Sequence, residues 1–392
     1  MVSELQCSSA LEKRQFLDPL KGGSGNCDAL TSLRFFAALS VFLLHAQVHE
    51  LIVLSAEVRT WYSLIQGVSF FFVLSGFVLT LRYEFLSSWK DTALFYCNRF
   101  ARIAPLYYLT AIPFLVLPVL QHFGAQPWKE VLAYCFALQD WSSTQPGQTP
   151  INPPAHSISS EAFFYLLFPL FMLAGKRWLK IAVCASVVLA VAAWNYFRAT
   201  GSTALTPVAG LLFFVAGILA CLIFKRSASK TSEAPSGKEL FLATTAEIVG
   251  LIAVVPLAIK STYPLADDMV FPIMGKSIDC SAVYPAALAV AFSFVLYNFA
   301  RERGLLSRLL KHPLFVHLGE ASFAFFLVHY AVITVCRSVI NMLPSNMVPV
   351  LFLLSFVVSL AIALILYRFV ETPARRMIAQ KARLMFVESE KD

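Results

Sequence analysis

Apolar runs long enough to cross a bilayer recur along most of this chain, and no other feature constrains its fold as strongly. A hydrocarbon core of about 30 Å takes about 20 residues of helix, and within it every backbone polar group must be satisfied internally. Ten runs meet that length, at roughly 29–48, 64–82, 103–121, 158–174, 179–197, 207–225, 239–260, 281–299, 316–338 and 348–369. A further apolar piece, Trp128 to Trp141, is too short to span. With Trp at both ends it reads as an interfacial or re-entrant helix. The composition agrees, because 58% of the 392 residues are hydrophobic and only 14% are charged. A soluble domain carries about a quarter charged residues. A soluble enzyme and a disordered chain are both excluded. The expected fold class is all-α, a polytopic membrane helix bundle of about ten transmembrane helices.

Charge supplies a test of the helix count, since Lys and Arg concentrate in cytoplasmic loops. If the ten runs alternate in direction, 24 of the 31 Lys and Arg fall on the side of the N-terminus and 6 on the other, with Arg34 inside the first span. This asymmetry puts both termini in the cytoplasm and favours an even number of spans. The expected organisation is a cytoplasmic tail over 1–28, a transmembrane domain over 29–371 and a cytoplasmic tail over 372–392. The net charge of +8 then follows from topology and from anionic lipid. No basic stripe with stacking aromatics points to nucleic acid, and none is expected as a partner. The first span is full length and carries Arg34 and His45, so it does not read as a cleaved signal peptide. Gly-rich Lys21–Gly25 lacks the spacing of a phosphate loop and reads as a linker, as does the Ser/Lys-rich stretch 225–238. The eight Cys are scattered singly, with Cys135 and Cys280 on one side, too sparse for a disulfide scaffold.

Ionisable residues inside spans are costly and mark function by default. Arg34 and His45 are 11 positions apart in the first span, which puts them on one helix face, separated by about 16 Å. Arg34 sits near the cytoplasmic end and His45 in the outer half; snorkelling to the two interfaces would explain the same placement. Ser157-Ile-Ser-Ser-Glu161 enters the fourth span after Pro153-Pro154. It can cap that helix, with Glu161 on the positive end of the dipole. Alternatively Glu161 faces His45, raising its basicity and fixing its tautomer as a general base requires. Arg99 and Arg102 lie one turn apart at the start of the third span, where they can clamp phosphate oxygens or simply mark the cytoplasmic side. His329 lies deep in the ninth span with Glu320 before it. Glu371 ends the tenth and can pair with Arg368 or Arg375. The His residues have no ligand spacing, and no metal site is expected.

Together these residues resemble the acyltransferase-3 family of integral membrane acyltransferases, over nearly the whole chain. The family's Arg-x10-His stands here as Arg34-Phe-Phe-Ala-Ala-Leu-Ser-Val-Phe-Leu-Leu-His45. Gly67-Val-Ser-Phe-Phe-Phe-Val-Leu-Ser-Gly76-Phe is similar to its second-helix motif. Arg99-Phe-Ala-Arg102-Ile-Ala-Pro105 is similar to Arg-x-x-Arg-Ile-x-Pro. Ser157-Ile-Ser-Ser-Glu161-Ala-Phe-Phe-Tyr165 resembles Trp-Ser-Leu-x-x-Glu-x-x-Phe-Tyr without its Trp. Ser322 through His329 and Glu371-Thr-Pro373 complete the order. The chain departs from the pattern at Thr31 and Ser69, where acidic residues are frequent, at His156 in place of Trp, and at Phe323 and Phe326 in place of tyrosines.

The resemblance implies acyl transfer from a cytoplasmic acyl-CoA, acetyl-CoA first among them, to a hydroxyl of a cell-surface or lipid-linked glycan. The wording around Leu33-Arg34 is similar to members acting on exopolysaccharide or O-antigen sugars. It further implies catalytic roles for His45, Glu161 and His329 and donor binding by Arg34, Arg99 and Arg102. His45 would act as base or as transient acyl carrier, since no Ser sits in a nucleophile elbow. Partners would be the saccharide acceptor, acyl-CoA and membrane lipids, and the location a bacterial inner membrane. Ten spans with buried charge also suit a transporter or flippase of a lipid-linked sugar.

Overall fold

The computed structural model describes residues 27–52, 62–83, 86, 88–120, 128–141, 151–173, 175–200, 206–228, 235–262, 270–273, 276–279 and 283–386. The Lys21–Gly25 linker, residues 229–234, Cys280 and residues 387–392 lie outside this set. The protein is an all-α polytopic membrane bundle. In chain order its helices are α1 Asp28–Val48, α2 Gln66–Arg82, α3 Trp89–Leu109, α4 Ile112–Leu120, α5 Trp128–Cys135, α6 His156–Leu173 and α7 Gly175–Thr200. They continue as α8 Thr206–Ala228, α9 Gly237–Thr262, α10 Val283–Ala300, α11 Leu305–Leu310, α12 Pro313–Val339, α13 Val348–Leu366 and α14 Thr372–Phe386. A short antiparallel pair of strands, β1 Val270–Ile273 with β2 Lys276–Asp279, lies between α9 and α10.

Apart from a break at Thr110–Ala111, the described residues of the ten expected runs are helical. Among the described residues, seven helical stretches are long and apolar enough to cross a bilayer, corresponding to α1, α2, α8, α9, α10, α12 and the run beginning with α13. The fourth and fifth runs include side chains outside the described set, whereas the third falls short in itself. The third run is split, because helix α3 ends at Leu109 and α4 restarts at Ile112. Helix α3 starts well before that run, at a polar turn where the Ser88 hydroxyl and Asp91 carboxylate cap each other's backbone N–H groups at 3.1 and 3.0 Å, a reciprocal capping box. Helix α6 opens on His156, Ser157, Ser159, Ser160 and Glu161, and α7 opens on Lys176, Arg177 and Lys180. The interfacial piece expected from Trp128 to Trp141 appears as α5 followed by a 3-10 turn over Gln139–Trp141.

Two hydrophobic cores divide the bundle along its axis. One holds Leu33, Phe72, Phe77, Phe95, Tyr165, Phe168 and Phe214 around the Arg34 end of α1. The other holds Phe42, Ala46, Tyr107, Tyr134, Ala155, Ile158, Phe325 and Leu327 around the His45 end. Helices α1 and α12 cross closely because Gly319 leaves no side chain against the Thr31 carbonyl, where a Cβ would collide. The same device brings α8 onto α2, with Gly217 lying on the Val73 carbonyl; small residues at crossings are the usual solution in membranes. The Ser32 hydroxyl donates to the Leu310 carbonyl, tying α1 to α11. After α13 the helix widens into a π turn at Tyr367–Glu371 before continuing as α14. Single π turns recur at functional sites, and this one carries Glu371.

Candidate active site

At the His45 end, α1 and α12 bring two imidazoles together. His45 Nδ1 and His329 Nε2 are 2.8 Å apart, with the rings stacked at 5.1 Å between centroids. His329 is fully buried, enclosed by Phe42, Phe325 and Phe326. Its Nδ1 lies 3.2 Å from the Phe325 carbonyl. A carbonyl only accepts, so His329 Nδ1 carries the proton and its Nε2 is a lone pair. His45 must then donate from Nδ1, which leaves His45 Nε2 as the free lone pair of the pair. The chain therefore sets a tautomer through a backbone carbonyl and a second histidine, the second-partner arrangement a general base needs. Tyr330 stands edge-on to His45 at 5.0 Å and to His49 at 5.1 Å. Just beyond α1, burial and the Arg337 guanidinium push the His49 imidazole below the usual histidine range.

At the other end of α1, guanidiniums converge. Arg99 donates to the Tyr83 hydroxyl at 3.1 Å and stacks over the Tyr83 and Tyr165 rings at 5.4 and 6.0 Å. Tyr165 donates to Glu161 Oε2 at 3.2 Å. Arg102 forms an ion pair with Glu371, whose side chain is only 1% exposed, and covers the Phe323 ring at 5.2 Å. Arg34 lies within the fields of Glu161, Tyr165, Arg99 and Arg375, and Arg82 within those of Arg99, Arg34 and Arg375. Arg102 faces Arg34, Arg375 and Arg99 as well. Five guanidiniums, from Arg34, Arg82, Arg99, Arg102 and Arg375, thus meet the carboxylates of Glu161, Glu371 and Glu320. The buried Nε–H groups of Arg34 and Arg99 meet no hydrogen-bond partner among the described residues. A buried excess of cations with unspent donors is costly unless an anion completes it.

Residues expected from the sequence are therefore gathered into two clusters, one at each end of helix α1. Arg34, Arg99 and Arg102 come together, and so do His45 and His329. Two expectations need correcting. Glu161 does not face His45: it points to the arginine cluster through Tyr165, and the imidazole partner of His45 is His329. The reason is depth, since Glu161 lies about 7.5 Å further along α6 than its first residue. Glu371 pairs with Arg102 rather than Arg368 or Arg375, because the π turn swings it toward α3. Glu320 approaches His317 at 3.2 Å on an exposed face and also acts on Tyr367. The sequence reading missed Arg375, Arg82 and Tyr83 as members of the cluster. Arg375 stands one turn after Glu371, a spacing that could have singled it out.

Other nucleophiles and ligand sets are poorly placed. Burial and Glu302 push the Cys27 thiol up to about 12, so it holds its proton. Cys135 is an exposed free thiol. Among the described residues no three His, Cys, Asp or Glu side chains converge as metal ligands.

The comparisons with known proteins agree with this picture. A family model described as an acyltransferase domain, Acyl_transf_3, matches residues 28–368. The chain is 30% identical over 340 residues to the acyltransferase MdmB of Streptomyces mycarofaciens, an alignment covering 78% of each protein. No solved structure matches it significantly. The family match begins with the first residue of α1 and runs into the π turn, so it takes in both ends of the site. The chain belongs to this acyltransferase family and is an integral membrane acyltransferase.

Proposed function

We propose that the protein takes an acyl group, acetyl in the first instance, from cytoplasmic acyl-CoA and transfers it to a hydroxyl of a cell-surface or lipid-linked glycan. The observation that carries this reading is the division of one helix into a guanidinium end and an imidazole end, 11 residues apart, or about 16 Å. Coenzyme A is a molecule divided the same way, with phosphates at one end and a thioester at the tip of a flexible arm. Guanidiniums hold phosphate oxygens bidentately, and Arg34, Arg99, Arg102 and Arg375 supply the forks. The charge asymmetry of the loops assigns that end to the cytoplasm, in what we take to be a bacterial inner membrane.

At the His45 end the acceptor hydroxyl gives its proton to His45 Nε2. Its oxygen forms a bond to the thioester carbonyl carbon, the carbon–sulfur bond breaks, and the coenzyme A thiolate takes the proton from the imidazolium. His329 Nε2 accepts from His45 Nδ1–H throughout, orienting the base and stabilising its charged form, as the third member of a triad does. Glu161 and Tyr165 serve the donor end, holding Arg34 and Arg99 in place. Mass spectrometry of surface polysaccharide from cells with and without the protein tests the reading. The expected difference is one acyl group per modified sugar. Identical polysaccharide in both strains, with the protein present in the membrane, would contradict the glycan acceptor.

A further inference from the structure

Outside the two clusters, a third set of polar side chains meets where the 3-10 turn Gln139–Trp141 lies on the start of α6. His156, Ser160 and Phe163 follow one another at i, i+4 and i+7, a single stripe on that helix. Asp140 accepts from the Ser160 hydroxyl at 2.7 Å and faces His156 Nδ1 at 3.4 Å. Its backbone N–H donates to the Ser159 hydroxyl at 3.4 Å. Trp141 sits edge-on to Phe163 at 5.1 Å. Both carboxylate oxygens are turned inward, onto Ser160 and His156. Asp140 stands on the Nδ1 side of the imidazole, so Nε2 is the ring nitrogen left for a ligand. The imidazole is 26% exposed against 11% for Asp140, so the outward group of this cluster is the imidazole.

This cluster is tied to the helix of the histidine pair. The Gln139 side chain donates to the Ala155 carbonyl at 2.8 Å, immediately before His156. The Asn152 amide donates to the Leu327 carbonyl at 3.2 Å, two residues before His329. Asn152 takes a left-handed conformation, with φ of 46°, to turn the chain into Pro153-Pro154 and α6. Ala155 and Ile158, on either side of His156, share one apolar core with Ala46 and Leu327. His156 thus stands at the same end of the bundle as His45.

We propose that His156, faced by Asp140 and with Trp141 against Phe163 two turns further along the same stripe, is a binding site for a second hydroxyl of the acyl acceptor. The inference rests on the acyl-transfer reading above and narrows it to a neutral polyhydroxyl acceptor. A hydroxyl of the acceptor hydrogen-bonds His156 Nε2, and the indole offers an apolar face to the ring carbons, the amphipathic use of Trp. The adjacent carboxylate repels phosphates and carboxylates, so the unit recognised here is an uncharged sugar. A few placed polar groups beside an apolar face are what orient a ligand in such sites.

Neutral methyl hexopyranosides are the probe, and two readouts are combined. In the first, purified protein is treated with diethyl pyrocarbonate and carbethoxylation of the His156 peptide is followed by mass spectrometry. Saturating methyl hexopyranoside should slow the modification severalfold, whereas the corresponding uronic acid should not. In the second, His156→Ala should raise the acceptor KM about tenfold, the worth of one hydrogen bond. The donor KM and the acceptor-independent release of coenzyme A should stay at wild-type values. Asp140→Asn should raise the acceptor KM less, and His156→Asn should recover part of the loss. Absence of sugar protection, or a fall in donor use that accompanies the acceptor effect, would overturn the site. Wild-type protein that releases no coenzyme A would instead refute the acyl-CoA reading, while the sugar protection would still decide the site.

Discussion

His45 and His329, 284 residues apart in the chain, meet at 2.8 Å, and the Phe325 carbonyl behind them fixes which nitrogens carry protons. His329 is then a positioning residue acting through His45. His329→Ala should lower kcat by about 10²-fold, the low end for disabling a general base, with donor KM unchanged. His329→Gln should recover part of the loss, since its amide oxygen can accept from His45 Nδ1–H. Equal losses for the two variants in a steady-state assay would show that packing, rather than the hydrogen bond, is what His329 provides.

The arginine cluster predicts a different signature. Arg99→Lys and Arg34→Lys keep the charge but lose the planar fork, so the donor KM should rise while the acceptor KM stays put. Arg99→Lys should have the larger effect, because it also loses the bond to Tyr83 and the stacking on Tyr165. Initial-rate kinetics with each substrate varied in turn checks this. A shift confined to the acceptor KM would mean that the cluster does not hold the donor.

The buried ion pair between Arg102 and Glu371 should appear in stability. Glu371→Gln leaves a buried guanidinium without its ion-pair partner among like charges and should destabilise the protein by about 3–5 kcal/mol. The double variant Arg102→Met with Glu371→Leu should regain most of that stability yet bind the donor weakly. Thermal unfolding in detergent, paired with donor binding, separates the two effects.

How much of this was readable beforehand depends on the range of the interaction. The spans were legible because burial in lipid imposes a long apolar run that any helix must show locally. The Arg34–His45 face was legible because a helix repeat relates positions within one element. Pairings between elements were not. Glu371 and Arg102 come together only through the π turn and the docking of α14 on α3, and nothing near either residue encodes that. Glu161 could be read either as a helix cap or as a partner of His45, because depth along its own helix decides the partner and the sequence pattern does not show it. The split of the third run at Thr110–Ala111 was likewise hidden, since the hydropathy continues across it.

Helix α1 is held against α12 by a glycine, and that crossing sets the histidine pair. Gly319→Val should push α1 from α12 at the Thr31 carbonyl, with a cost in the 1–3 kcal/mol range of overpacking. Activity should fall more than stability, because His45 and His329 ride on the two displaced helices. Parallel measurement of thermal unfolding and transfer rate tests this; full activity in a destabilised variant would disconnect the crossing from the site.

Sidedness is open to direct labelling. In a Cys-free background, an impermeant thiol reagent should reach Ser143→Cys in intact cells and spare Ser232→Cys until the membrane is opened. Both positions lie outside the described residues, and their assignment rests on the charge asymmetry alone. The reverse pattern would put His45 on the cytoplasmic side and remove the need for transfer across the membrane.

The central claim, that His45 activates an acceptor toward a coenzyme A thioester, is tested most directly by following labelled acetyl-CoA with purified wild-type protein and His45→Ala. Wild-type protein should release coenzyme A and move the label to the glycan acceptor. His45→Ala should bind acetyl-CoA with nearly wild-type affinity and transfer the label about 10²–10⁴-fold more slowly. A His45→Ala protein that transfers at more than about half the wild-type rate, against that expected loss, would contradict the account.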